Sequence, residues 1–200
     1  MSTQNYRTTF KSTTIFGAVQ IIIILVALLK SKIIALWLGP FGFGLFSIFN
    51  SVVAMIYSMS NLGLASSSVR EIAITLNNKY QLSSLIIALK RWAIITGLIG
   101  AIATIILSPL LSFLSFNSYN FTLSFIFLSL VVFLNGLSYV NLAIIQGSNN
   151  IKVLAITNIV GAILGLIISI PLFLFLGING IVLSIIFTSL VLFLISNTYL

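Results

Sequence analysis

The sequence predicts an all-α integral membrane protein, and three observations support that prediction. Of its 200 residues, 60% are hydrophobic and only 5% are charged, whereas a soluble domain carries roughly a quarter charged residues to cover its surface. The mean hydropathy is +1.28, and the apolar residues come in runs long enough for membrane-spanning helices. The alternation of apolar and polar residues that marks barrel strands is absent.

Long apolar runs divide the chain into predicted helices. A helix that crosses the hydrocarbon core needs about 20 predominantly apolar residues. The first run is too long for a signal peptide, lacks a small-x-small cleavage site and is followed by further runs. We therefore expect residues 1–200 to form one domain of six transmembrane helices. The six predicted spans lie near residues 13–37, 41–64, 92–114, 121–145, 153–175 and 180–198.

The basic residues predict the topology. Nine Lys and Arg against one acidic residue give a net charge of +8. Apart from Lys30 and Lys32, all of them precede the first span or lie between spans two and three or four and five. The positive-inside rule makes that side cytoplasmic, and both chain ends with it. Because these charges are scattered, we expect membrane lipids rather than nucleic acid as their partner.

The composition excludes most catalytic chemistry. The sequence has no Cys and no His, which excludes thiolate nucleophiles, imidazole bases and common zinc sites. Glu71 is the only carboxylate, so no acid/base carboxylate pair exists within the chain. We therefore predict no catalytic residues, no metal, no cofactor and no enzymatic activity.

Lys30 and Lys32 are charged residues near the end of the first span. On a helix they point about 200° apart and cannot share a face. One interpretation is that both extend to the outer headgroups. The other places at least one in a water-filled cavity where it binds an anion, since ionisable residues at membrane depth are usually functional. The residue pattern leaves both open.

A stripe of small and polar residues follows the second span at spacings of three and four. It indicates either a tight helix contact or a wet lining that Gln20 of the first span could join. The stripe consists of Ser47, Asn50, Ser51, Ala54, Ser58, Asn61 and Ala65.

Two glycine patterns and one polar stretch predict local structure. Leu38-Gly39-x-x-Gly42 and Leu176-Gly177-x-x-Gly180 form a weak repeat at two outer turns, where glycine ends helices. Gly161-x-x-x-Gly165 predicts a packing face. The stretch "SSSVREIAITLNNKY", which contains Arg70 and Glu71, predicts a short interfacial helix or a solvated surface segment.

Two stretches resemble the O-antigen translocase type of bacterial polysaccharide flippases, in the multidrug/oligosaccharidyl-lipid/polysaccharide exporter superfamily. The first is "KSKIIALWLGPFGFGLFSIFNSVVAMIYSMSNLGLASSSVREIA", residues 30–73, and the second is "IIQGSNNIKVLAITNIVGAILGLIISIPLFLFLGINGIV", residues 144–182. The residues that resemble the family are Lys32, the turn Leu38-Gly39-Pro40-x-Gly42-x-Gly44, Asn61-Leu62-Gly63-Leu64 and Val69-Arg70-Glu71.

The resemblance implies a two-lobed, all-helical transporter of the bacterial inner membrane. Such a transporter turns undecaprenyl-diphosphate-linked oligosaccharides across the bilayer by alternating access, for polysaccharide or O-antigen biosynthesis. It implies that Lys30 or Lys32 pairs with the diphosphate. With the polar stripe taken as a wet lining of the same cavity, we expect Gln20, Asn50 and Asn61 as further substrate-binding residues. Six spans correspond to the N-terminal lobe, so we expect a second lobe from a missing half or a partner chain.

Two other functions stay open at this point. A drug or cation antiporter of the same superfamily commonly has carboxylates within its spans, and this chain has none there. A non-transporting membrane scaffold in envelope assembly would also suit a six-helix lobe with a polar groove.

Overall fold

A computed structural model describes residues 3–61, 63–76 and 78–199, with side chains from residue 17 onward. All regular structure in these ranges is helical, which confirms the all-α prediction. Leu62 of the Asn61-Leu62-Gly63-Leu64 motif lies outside the described residues. The helices are α1 (Thr3–Asn61), α2 (Leu64–Thr75), α3 (Lys79–Phe116), α4 (Thr122–Gly147), α5 (Ile151–Leu176) and α6 (Gly180–Thr198), with a 3-10 turn at Gly177–Asn179 between the last two.

Helix α1 is broken at Gly39 into a first limb, residues 3–38, and a second limb, residues 40–61. Gly39 has φ 69° and ψ −174°, a conformation outside the helix that glycine tolerates. Pro40 follows and cannot donate a backbone hydrogen bond. The Lys30 amino group lies 5.3 Å from the centroid of the Phe46 ring, whereas a straight helix would separate these residues by roughly 24 Å. The two limbs therefore bend towards each other.

Helices α5 and α6 form an antiparallel hairpin around a second glycine bend. Gly177 has φ 56° and begins the short 3-10 turn. A methyl group on Gly161 would lie 3.0 Å from the Leu192 side chain, and one on Gly165 would lie 2.7 Å from Thr188 Cγ2. The Gly161-x-x-x-Gly165 face is therefore a packing face, as its spacing predicts. In both copies of the weak glycine repeat, the first glycine, Gly39 or Gly177, has a positive φ and lies at a bend.

Within the part of the chain that the structure describes, four segments are long and apolar enough to cross a membrane by length and composition. Two of them, of 45 and 48 residues, contain the bends at Gly39 and Gly177, and each has more than twice the length that one crossing needs. The segments are Gly17–Asn61, Lys79–Phe116, Thr122–Gly147 and Ile151–Thr198.

Among the described residues, three buried clusters hold the helices together, and two of them are large. Near the two bends, Phe49 packs edge-to-face on Phe116, Phe121 and Phe125 within the larger cluster. At the other end, Ile72 of α2 is fully buried in a second cluster formed with α3 and α4. The hydrophobic contact of Ile72 fixes α2 against the bundle.

Helix α3 extends beyond the predicted third span at its N-terminal end. Helix α3 begins at Lys79, well before residue 92, and the Asn78 side chain accepts a hydrogen bond from the Gln81 amide at 3.4 Å. The extension is amphipathic: its apolar side chains pack on the α2 cluster and its polar ones face outward. A search for long apolar runs does not detect such an amphipathic helix. The packed side chains are Leu82, Leu85, Ile86 and Leu89.

Most buried hydroxyl groups bond to their own helix. Thr104 Oγ1 donates to the Gly100 carbonyl at 2.7 Å, and Ser169 Oγ donates to the Gly165 carbonyl at 2.6 Å. These bonds satisfy the hydroxyl group without water. Asn141 is different, because its Nδ2 donates to Ser196 Oγ at 3.2 Å and so joins α4 to α6.

Candidate functional site

Lys30 lies on the packed face of the first limb. The buried and half-buried side chains of this limb recur at spacings of three and four, and Lys30 is one of them. An apolar helix packs one such face on its neighbours. Lys30 therefore points towards the bundle rather than away from it. The face consists of Val19, Ile23, Val26, Lys30 and Ile34.

Two contacts hold the Lys30 ammonium group. Its Nζ donates to Thr188 Oγ1 of α6 at 3.3 Å. It also lies over the Phe46 ring at 5.3 Å from the centroid, within the range of a cation–π interaction. Thr188 Oγ1 itself donates to the Ser184 carbonyl at 2.6 Å, so its lone pairs are available to the lysine. The ammonium is thus held where the two limbs of α1 meet α6.

The charge of Lys30 has no acidic counterpart at this site. Glu71, the only acidic side chain in the sequence, is exposed on α2, which packs on α3 and α4. An ammonium group has three N–H donors, and the described contacts of Lys30 include one hydrogen bond. A half-buried cation held only by a hydroxyl and a ring favours an anion nearby, because an uncompensated charge is costly away from water.

Lys32 occupies a different environment from Lys30. It is exposed, and the helical offset turns it about 200° from Lys30. The two lysines therefore do not form one site: Lys30 points into the bundle and Lys32 lies at its surface.

The polar stripe of the second limb lies on the surface of the bundle. Asn50, Ser51, Ala54 and Ser58 are exposed, whereas Ser47 and Asn61 are half-buried, as is Ala65, which lies on α2. Within the described bundle the stripe is therefore not the tight helix contact that its small residues could have formed. The opposite face of the limb is the buried one and consists of Leu45, Phe49, Val53 and Ile56.

The other predicted binding residues lie at separate positions along α1. Asn50 Nδ2 donates to the Phe46 carbonyl at 2.8 Å, one turn from the ring that Lys30 contacts. Gln20 is exposed and lies about 15 Å along the first limb from Lys30. Asn61 lies roughly 16 Å beyond Asn50 and lines a small space with Tyr57 and other residues of α1, α3 and α4.

The predicted turn and loop residues take distinct places. Gly39 and Pro40 form the α1 bend, and Gly42 is buried against the Leu38 side chain. A methyl group on Gly44 would meet no atom within 4 Å, so the packing there does not require glycine. Arg70 and Glu71 are exposed on α2, away from its buried face. The described residues include no cluster of three metal-binding side chains.

Sequence reasoning missed Phe46 and Thr188. Phe46 is one aromatic residue in an apolar run, with no pattern that singles it out. Thr188 follows Ser184 by one helical turn and faces Gly165. The spacing of small and polar residues in the last span could therefore have indicated a packed polar face that includes Thr188.

Comparison with known protein families supplies independent evidence. A family model described as "Polysaccharide biosynthesis protein" matches residues 9–200. Searches of curated proteins and of solved structures found no match. The match covers nearly the whole chain and confirms the resemblance that residues 30–73 and 144–182 indicate. Together with the four long apolar segments, it makes this a multi-pass membrane protein that belongs to the polysaccharide biosynthesis protein family.

Proposed function

We propose that this chain is one lobe of a flippase that carries an undecaprenyl-diphosphate-linked oligosaccharide across the bacterial inner membrane. The observation that carries the proposal is the Lys30 ammonium, held by Thr188 and Phe46 without a carboxylate. A diphosphate supplies the opposite charge and several acceptor oxygens, and it forms strong charge-assisted hydrogen bonds with lysine. The family match supports a role in polysaccharide biosynthesis.

The proposed topology has six crossings, with both chain ends in the cytoplasm. The two limbs of α1, on either side of Gly39, form one hairpin, and α5 and α6 form another around Gly177. Helices α3 and α4 supply the remaining two crossings. Both glycine bends are uncharged, whereas the α2 end carries basic residues, which supports the cytoplasmic assignment of that end.

A second lobe is part of the proposal. The exposed polar stripe of the second limb would face hydrocarbon if the lobe stood alone, and amide groups are costly there. A second six-helix unit facing the stripe would enclose water and the sugar headgroup instead. Transport then consists of binding in an inward-open groove, rocking of the lobes and outward release. It breaks no covalent bond and needs no catalytic residue.

The binding of lipid diphosphate by Lys30 can be tested on the purified chain together with any second lobe. Lys30→Gln keeps a hydrogen-bond donor for Thr188 but removes the charge. We expect it to weaken binding of a polyprenyl diphosphate about 10- to 100-fold, because a hydrogen bond to a charged group contributes about 1.5–3 kcal/mol. Lys32→Gln is the matched control and leaves affinity within a few-fold. Equal affinity of Lys30→Gln and the unaltered chain, or equal binding of the uncharged polyprenol, would refute the proposal.

A further inference from the structure

A groove of about 280 Å³ opens between α3, α4 and α6, away from the Lys30 site. Its walls are mainly apolar, and its polar residues are contributed by all three helices. Thr188 belongs to the Lys30 site and Asn197 to the groove. About 13 Å of helix α6 separates the two residues. The groove is lined by Lys90, Ala93, Ile94, Phe133, Leu137, Asn141, Phe193 and Asn197.

The polar part of the groove lies at the level of the lipid headgroups. Helix α3 has 38 residues, about 57 Å, and therefore extends well beyond a hydrocarbon core of about 30 Å. Its apolar run starts at Trp92, which is 55% exposed and directly follows Lys90 and Arg91. Exposed tryptophan beside basic residues is typical of the membrane–water interface. Lys90 is thus placed where an apolar helix meets the headgroups.

The groove combines a cation with amide groups above an apolar wall. Lys90 is half-buried and lines the groove. Asn141 uses its Nδ2 to bond Ser196 and presents a fixed amide at the groove, while Asn197 is exposed beside it. The only acidic residue, Glu71, is not among the lining residues. The charge of the groove therefore complements a phosphate.

The apolar wall continues onto the exposed surface of α3. Ile94 in the groove is 44% exposed, and Leu98, one turn further into the apolar run, is 46% exposed. A hydrocarbon chain attached to a phosphate at Lys90 would run along these side chains towards the middle of the bilayer. A free phosphate ion would leave this part of the groove empty.

We propose that the groove binds an anionic phospholipid of the surrounding bilayer, with its phosphate at Lys90 and the start of one acyl chain along Ile94 and Phe193. This site is separate from the proposed flippase site and holds a structural or regulatory lipid rather than the transported one.

A tryptophan placed in the groove reports on this lipid. The sequence has two tryptophans, Trp37 and Trp92, and both are replaced by Phe in a Phe193→Trp background. Quenching by brominated phosphatidylglycerol is then compared with quenching by brominated phosphatidylcholine in vesicles. We expect phosphatidylglycerol to be preferred, and Lys90→Gln to reduce the preference about fivefold, since one basic residue near the surface contributes about 1 kcal/mol. Lys152→Gln, at an exposed lysine outside the groove, is the matched control and keeps the preference.

Three results would overturn the proposal. Equal quenching by the two lipids would show that the charge of the headgroup is not recognised. An equal loss in Lys152→Gln would mean that diffuse surface charge is responsible. Absence of quenching by either lipid would show that protein, such as a second copy of the chain, covers the groove.

A second measurement avoids the tryptophan substitutions. Native mass spectrometry of the otherwise unaltered chain compares retention of phosphatidylglycerol with that of phosphatidylcholine. Asn197→Asp adds a negative charge at an exposed groove position, where folding does not depend on the side chain, and must lower phosphatidylglycerol retention. Unchanged retention in this variant would also overturn the proposal.

Discussion

Lys30 Nζ and Thr188 Oγ1 lie 3.3 Å apart, which joins the first limb of α1 to α6 across 158 positions of the sequence. Thr188 is held in turn by its bond to the Ser184 carbonyl and by the close approach of Gly165. The threonine thus fixes the position of the lysine, and through it the proposed anion site.

Removal of the Thr188 hydroxyl is expected to weaken anion binding. Thr188→Val keeps the methyl group that faces Gly165 but removes the acceptor of the Lys30 hydrogen bond. We expect a loss of about 2- to 10-fold in affinity for a polyprenyl diphosphate, since such a bond contributes about 0.5–1.5 kcal/mol. Titration of the purified variants measures the effect, with Thr188→Ser as the control that restores the hydroxyl. Affinity of Thr188→Val equal to that of the unaltered chain would show that the hydroxyl is not required, and a Thr188→Ser variant that binds as weakly as Thr188→Val would show that restoring the hydroxyl is not sufficient.

Substitution of Gly39 is expected to destabilise the α1 bend through the backbone alone. Its φ of 69° and ψ of −174° lie in a region essentially restricted to glycine, and a methyl group there would meet no atom within 4 Å. We expect Gly39→Ala and Gly39→Asn each to cost about 1–3 kcal/mol of unfolding free energy. Gly44→Ala, also in open space, is the control and is expected to be neutral or mildly stabilising. Equilibrium unfolding in detergent distinguishes these outcomes, and an undiminished stability of Gly39→Ala would contradict the assigned bend.

The contact of Ile72 with the bundle is expected to keep α2 in place. Ile72 is fully buried, whereas Ile74 on the same helix is 65% exposed. Ile72→Ala should therefore cost about 2–5 kcal/mol, and Ile74→Ala should cost little. Limited proteolysis between α2 and α3 is the measurement: faster cleavage in Ile72→Ala alone is the expected result. Equal cleavage in both variants would show that α2 does not depend on this contact.

The sequence predicts the helices and bends well, because both depend on local physics. Gly39 with Pro40 and Gly177 interrupt apolar runs, and their backbone requirements are independent of the rest of the fold. The early start of α3 at Lys79 was missed because its helical signal is an amphipathic face rather than an apolar run. That face depends on α2 as its packing partner.

The orientation of the two lysines could not be predicted. The first limb is apolar around most of its circumference, so periodicity does not identify its packed face. Lys30 and Lys32 look equivalent in such a segment, and only the packing of α1 on its neighbours distinguishes them. The same holds for Thr188, whose bond to Lys30 depends on the tertiary arrangement of α1 and α6.

The assignment of Lys30 to the substrate cavity is tested most directly by measuring water and ligand access at positions 30 and 32. The chain has no cysteine, so Lys30→Cys and Lys32→Cys each introduce one reactive thiol for a membrane-impermeant reagent. With any second lobe supplied, we expect a lipid diphosphate to protect position 30 from labelling and to have little effect on position 32. If labelling at position 30 is the same with and without the ligand, or if position 30 is not labelled at all, the assignment of Lys30 to the substrate cavity is wrong.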